Sequence, residues 1–388
     1  TKKSVQLLSL CFGFGSWIAI AGLWLEIPVL IQRLPEKWTL ASDMNMVIQL
    51  ANVGPVLYFF LRKYKLCDET IASHALLFVG LVSCLLLITC WDKTLVVFGR
   101  ERSVVLFAAT FGLALLDCTS SLTFLPFMAR FETKYLTPFL IGEGLSGFIP
   151  TLFALLQGVE QNECENAMNS ESNLRFSAKF FFSSLLLTLI ISWISLVLLQ
   201  SLPDCRHETR RQTPQDVDNK NTIGNRKYKY LLSVIGFSCF STFGVMPSIQ
   251  PFSALPFGNS CLHFVVIFSA LCFPFGCFLA MIYQKRKSVC FVNYLTLFAH
   301  LIAVYIIITA ILSPNPPLIQ FPTFGSIFTT ICWIFFTTIV SYVKTIITLI
   351  ISDSKGNEGL FWIGFQTQFG SLFGALFMFL IINHSNVF

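Results

Sequence analysis

Eleven apolar runs, each about twenty residues long, decide what this chain can become, because a run of that length crosses the hydrocarbon core of a bilayer as one helix. They fall at 7–31, 41–61, 72–90, 103–129, 138–157, 178–199, 229–249, 262–283, 290–312, 323–351 and 359–382. Composition agrees: of 388 residues, 55% are hydrophobic and 12% charged, against roughly 25% charged in soluble domains. Phe alone occurs 42 times, more than a water-facing surface tolerates. The expected fold class is an all-α polytopic membrane protein with eleven transmembrane helices.

The long hydrophilic stretch "PDCRHETRRQTPQDVDNKNTIGNRKYK" begins at Pro203 and mixes charge with Asn and Gln without apolar periodicity. It reads as a linker. The chain is therefore expected to divide into an N-terminal six-helix bundle (1–199), a cytoplasmic linker (200–228) and a C-terminal five-helix bundle (229–388). Net charge is +6, and the basic residues lie in short loops, which sets topology rather than nucleic-acid binding. With the N-terminus inside, the inner face receives Lys2, Lys3, Arg62, Lys63, Lys65, Arg130, Lys134, the linker cations, Lys285, Arg286, Lys287 and Lys355. The opposite loops "PSIQPFSALPFGNSC" and "SPNPPLIQFP" carry no Lys or Arg. Eleven spans then place the C-terminus outside. No cleavable signal peptide is evident, since the first run is long enough to span and lacks a small-residue cleavage site.

Motifs for enzymatic chemistry are weak. "GEGLSG" (142–147) matches a dinucleotide fingerprint literally, but without a preceding strand its glycines read as close helix contacts. "GFGS" (13–16) has the same reading. The five His residues show no metal-ligand spacing, and there is neither a nucleophile elbow nor a phosphate-binding loop. No cofactor and no enzyme activity are expected. Thirteen Cys lie mostly inside apolar runs as small hydrophobes. Cys164 and Cys261 fall in or beside outer loops, which leaves a disulfide open. Asn383 opens the one glycosylation sequon, close to the membrane.

Ionisable groups inside spans are the informative residues. They are Glu26, Asp117, Glu143 and Lys344. A charge at the bilayer centre costs about 2.5–3.5 kcal/mol, so it faces a bundle interior or a wet cavity. Each is a candidate for gating, with a purely structural ion pair, for example Glu26 with Lys344, as the alternative. Pro28 follows Glu26 closely and is expected to loosen the helix there. Polar uncharged residues add a second layer. Gln49 and Asn52 in "QLANVGP" stand three apart on one face of the second span. Thr119, Ser120, Ser121 and Thr123 follow Asp117, Pro247, Pro251 and Pro256 are expected to break the end of the seventh span and expose Gln250, and Gln366 and Gln368 lie in the last span. Each alone is ordinary helix glue; together, from both halves, they point to a shared polar site.

Several stretches resemble a known family, the eukaryotic riboflavin transporters. They are "GSWIAIAGLWLEIPVLIQRLPEKW", "QLANVGP", "TFLPF", "LLQGVEQNEC", "GVMPSIQPFSALPFGN", "GCFLAM", "SYVK" and "QFGSLFGALFMF". The resemblance runs nearly the whole chain. It implies uptake of riboflavin across the plasma membrane by alternating access, facilitative with a pH influence, and a six-plus-five fold similar to the equilibrative nucleoside carriers and the major facilitators. Three positions depart from the family pattern: Ala21 stands where Asn is frequent, Glu143 where Gln is frequent, and Asp117 is not a family residue. Riboflavin is the implied substrate, with the lipid bilayer as the other partner, no nucleic acid, and a monomer as the expected state. The expected substrate-binding residues are Trp24, Gln49, Asn52, Thr123, Gln250 and Gln368, with Glu26, Asp117, Glu143 and Lys344 as gate or ion-pair groups. The rival readings are a membrane receptor or structural protein, and a carrier of another flat, nucleoside-like heterocycle.

Overall fold

The first apolar run folds as three short helices rather than one rod: α1 (Lys3–Gly13), α2 (Ile18–Leu25) and α3 (Ile27–Arg33). At "GFGS" the chain bends by 47°, with Phe14 N donating to the Cys11 carbonyl and Ser16 N to the Gly13 carbonyl. Here α1 crosses α8 (Thr133–Gln157) backbone to backbone. A Cβ on Gly13 would strike the Phe139 carbonyl, and one on Gly142 the Leu10 carbonyl, so only glycine permits the approach. The second interruption falls at Glu26, which ends α2 and begins α3 at φ −82°, ψ −6°. Pro28 explains it: the ring has no N–H to return to the Trp24 carbonyl and crowds it.

The structure is a computed structural model and describes residues 3–97, 99–128, 130–131, 133–158, 175–203, 205, 208, 223–282 and 289–384. Among these, ten helices are long and apolar enough to cross a membrane, or eleven if the bent pair α1–α2 is one span. The chain forms two compact units, Thr1–Lys37 with Leu50–Pro214, and Trp38–Gln49 with Gln215–Phe388.

The second run is also broken. After a 3₁₀ turn (Lys37–Thr39), α4 (Leu40–Leu50) stops and α5 (Val53–Lys63) starts afresh. Pro55 leaves the Ala51 carbonyl without its helical partner, and Gly54 N takes it instead at 2.9 Å. Gln49 and Asn52 therefore flank an interruption; the expectation that they share one helical face does not hold.

In the first unit α6 (Glu69–Cys90) leads into a hairpin that the apolar runs did not announce. Its strands, β1 (Leu95–Val97) and β2 (Arg100–Arg102), pair antiparallel with Leu95 opposite Arg102, and the turn uses Gly99 at φ +76°. Then come α7 (Val104–Met128), α8 and α9 (Ala178–Ser201). Glu36 caps α7 from a distance: its carboxylate accepts from Ser103 N and Ser103 Oγ, both at 2.7 Å, which satisfies a donor at the helix start.

In the second unit the seventh run comprises α10 (Asn225–Cys239), a π-helical turn (Phe240–Val245), α11 (Met246–Ala254) and a 3₁₀ turn (Leu255–Phe257). The π turn sits just before Pro247, with Met246 N reaching back to the Ser241 carbonyl. α12 (Asn259–Ile282) and α13 (Val289–Ile311) follow. The helical stretch α14 (Pro322–His384) holds two spans, Pro322–Ile351 and Trp362–His384. It folds back between them: Gly359 packs against Ile351, since a Cβ there would lie 2.7 Å from Ile351 Cγ2, whereas eight residues of straight helix extend about 12 Å. Leu231, Ile235, Val343, Ile346, Ile347 and Ile350 join in the core of this unit.

Cys261 is buried and free, its thiol 3.7 Å from the Ser326 carbonyl; Cys164 lies outside the described residues. The Asn383 amide is engaged with the Phe379 carbonyl at 3.0 Å.

Candidate functional site

Within the first unit, α2 carries Trp24, half-buried, with Glu26 at its end. Glu26 is 0% exposed. Gln157 approaches it as a polar neighbour, yet neither carboxylate oxygen closes a hydrogen bond of ordinary geometry. A buried carboxylate so poorly satisfied is expensive.

Asp117 on α7 is also buried, at 1% exposure. Its Oδ2 accepts from the backbone N of Ile20 at 3.0 Å, and its Oδ1 has no partner. One turn later, Ser120 Oγ donates to the Ser16 carbonyl at 3.2 Å. Both contacts fall on the bend of the first span. Glu143 on α8 accepts from Trp17 Nε1 at 3.2 Å, so two of the four gating candidates grip the same bend. Thr123 is fully buried, and its hydroxyl donates within α7 to the Thr119 and Ser120 carbonyls at 3.3 Å. It retains only acceptor capacity for a ligand. Asn52 precedes α5 and is half-buried.

Within the second unit, Gln49 and Gln250 are both buried. The expectation that the prolines expose Gln250 is corrected: α11 runs through Pro251 and encloses it. Lys344 on α14 is half-buried, its Nζ 4.7 Å from the centre of the Phe243 ring. That contact is a cation–π pair of the kind that gains when water is excluded. Gln368 lies half-buried on the last span, its carbonyl accepting from Ser371 Oγ.

Sequence reasoning missed Asn45. Its amide donates to the Gly244 carbonyl at 2.9 Å and the Ser248 hydroxyl at 3.2 Å. The signal was available: Asn45 and Gln49 are four apart in "SDMNMVIQL", hence on one face of α4. Also missed were Ser253, whose hydroxyl accepts from Trp333 Nε1 at 3.2 Å, and the His74–Trp193 pair, where Nε1 donates to Nδ1 at 2.7 Å.

The fold is shared with solved transporters. Over 98% of the chain it is similar to a bacterial homologue of the human lysosomal transporter Spinster (TM-score 0.59, 14% identity, 82% of that chain). Over 97% it is similar to the nucleoside transporter NupG (TM-score 0.55, 11% identity, 89% of that chain). The class is thus a multi-spanning helical protein with the fold of these solved transporters.

The family is narrower. The model of solute carrier family 52, riboflavin transporter, matches residues 1–222 and 207–388, and the chain belongs to that family. Among curated relatives, member 3-A of Danio rerio is 35% identical over 99% of this chain and 96% of its own length. Member 3 of Homo sapiens is 30% identical over 99% of this chain and 97% of its own length.

Proposed function

We propose that this protein carries riboflavin across the plasma membrane into the cell by alternating access. The family match over both halves of the chain carries the reading. The chemistry of the candidate residues supports it. Riboflavin is a neutral, flat tricycle with a uracil-like edge and a ribityl chain, so it needs aromatic faces and amides rather than a counter-ion. Trp24 supplies an aromatic face; Gln49, Asn52, Gln250 and Gln368 supply donors and acceptors; Thr123 supplies an acceptor. A buried amide left unpaired costs about 1–3 kcal/mol, which is how such a site rejects flat molecules with the wrong edge.

Movement is facilitative in this reading, with a proton influence through Glu26. Lys344 and Glu143 serve as gate groups. The Lys/Arg bias supports a cytoplasmic N-terminus and an extracellular C-terminus, and the working unit is a monomer. The test is accumulation of labelled riboflavin by cells expressing the chain: uptake should saturate and be competed by excess unlabelled vitamin. Uptake equal to empty-vector cells would overturn the reading.

A further inference from the structure

We infer that Asp117 is a positioning residue: it caps the restarted helix α2 across the bend of the first span and thereby fixes where Trp24 stands. The part of this that concerns substrate rests on the riboflavin reading above.

A helix that restarts inside a membrane has orphan backbone donors and no water to take them. The first intrahelical bond of α2 runs from Ala21 N to the Trp17 carbonyl, so the N–H groups of the preceding residues need other partners. The residue at the cap, Trp17, has no side-chain acceptor to offer and makes no capping bond. The acceptor comes from another helix. Asp117 Oδ2 takes the Ile20 N–H at 3.0 Å, the third position of α2, where a capping side chain normally bonds. A carboxyl oxygen suits the place, because the start of a helix carries partial positive charge that favours an acceptor there.

The other side of the bend is held in the same way. Ser120, three residues after Asp117 on α7, donates to the Ser16 carbonyl. Ser192 of α9 donates to the Phe12 carbonyl at 2.8 Å. Asp117 and Ser120 thus supply one acceptor and one donor to consecutive parts of the bend from a single helix face. Asp117 faces no Lys or Arg at ion-pair distance among the described residues, so the geometry is that of a cap and not of a salt-bridge gate. What the cap fixes is the direction of α2. Trp24 stands near the far end of α2, and Glu26 follows at its end.

Two readouts test this on the full chain. The first is hydrogen–deuterium exchange of the backbone around Ile20 in purified protein, which needs no substrate. Asp117→Ala should speed exchange there by about fivefold, the ratio that corresponds to a cap of ~1 kcal/mol. Asp117→Asn keeps an acceptor and should stay within about twofold of wild type. Unchanged exchange in Asp117→Ala overturns the cap. The second is riboflavin uptake at matched surface expression. Asp117→Ala should raise KM by about fivefold with Vmax kept, and Asp117→Asn should restore KM. Faster exchange with an unchanged KM overturns the positioning of Trp24. If Asp117→Ala does not reach the surface, Ser120→Ala, which removes the hydroxyl's bonds to the Ser16 and Asp117 carbonyls, replaces it with the same two expectations at smaller size. A wild-type protein that takes up no riboflavin fails the transport reading, and the exchange result still decides the cap.

Discussion

The Asn45 side-chain amide donates to the Gly244 backbone carbonyl at 2.9 Å, across 199 residues of sequence. Gly244 lies in the π-helical turn that precedes Pro247, where carbonyls lose their regular partners. Ser248 Oγ serves the same carbonyl at 3.1 Å, so the site is shared and removal of one donor does not orphan it. Asn45→Ala, which also loses the bond to the Ser248 hydroxyl, should therefore cost about 1–3 kcal/mol, the net worth of two hydrogen bonds. Asn45→Asp, which replaces the donor with an acceptor facing a carbonyl, should cost more. Thermal melts of the purified variants check the order, and an Asp variant as stable as the Ala variant would refute it.

Backbone contact between α14 and the seventh run makes the second prediction. A Cβ on Gly374 would strike the Phe240 carbonyl, and one on Gly370 the Gly236 carbonyl. Gly370 and Gly374 are four apart, the spacing by which small residues let membrane helices touch. Gly374→Ala should destabilise by about 1–3 kcal/mol through overpacking. Gly364 on the same helix has nothing within 4 Å of an added Cβ, so Gly364→Ala is the control and should leave the melting temperature unchanged or slightly raised.

Much of the fold was legible because membrane spans announce themselves by length and hydropathy alone. Pro28 gave away a disturbed first span as well, whereas the glycines near Gly13 were read as close helix contacts and not as a bend. The break between Gln49 and Asn52 was not drawn from Pro55, although the missing N–H dictates it. The hairpin at β1 and β2 escaped because three-residue strands leave no apolar run. At the site, the sequence marked Asp117 and Glu143 as unusual but offered no way to assign their partners. Whether a buried carboxylate gates, pairs or caps depends on which helix faces it, and that is a packing fact. Asp117 was expected as a gate or ion-pair group, and its bond to the backbone N of Ile20 is a partner that no sequence pattern names.

A cluster at the ends of α6 and α7 gives a pH prediction outside the membrane. Arg130 donates to both carboxylate oxygens of Asp68, at 3.1 and 3.0 Å, and to Glu69 at 3.2 Å. Hydrogen bonding with Glu69, and then the Arg130 guanidinium, hold the Asp68 carboxyl down to about 2. A depressed carboxylate stabilises the folded state above its unfolded pKa of about 4, and that stability is lost as pH falls towards 2. The Asp68 side chain is 51% exposed, so the contribution is under about 1 kcal/mol and screened by salt. Arg130→Ala should lower the melting temperature near neutral pH and shrink the loss between about pH 4 and 2. An unchanged acid profile in the variant would sink the assignment.

Lys344 and Lys65 separate a charge within a helix from a charge in a loop. The Lys344 ammonium lies over the Phe243 ring inside the second unit, whereas Lys65 is exposed just beyond α5. Lys344→Ala removes a cation that the surrounding side chains were arranged to hold. At matched surface expression it should impair riboflavin uptake at least about tenfold more than Lys65→Ala, the ratio set by ~1.4 kcal/mol. Equal uptake by the two variants would show that the intramembrane charge plays no part in transport.

Glu26 and Asp117 are both buried carboxylates, yet their surroundings predict opposite outcomes on neutralisation. Asp117 is committed to a backbone N–H, and Asn can take over that bond. No backbone N–H holds either oxygen of Glu26, so in the proposed cycle Glu26 rather than Asp117 is the proton-responsive carboxylate. Uptake by wild type should vary between about pH 5 and 8; Glu26→Gln should flatten that profile, and Asp117→Asn should preserve it. Measurement of initial uptake rates across the range decides the matter. A flat wild-type profile removes protons from the mechanism, and a profile flattened equally by both variants removes the distinction between a carrier of charge and a cap.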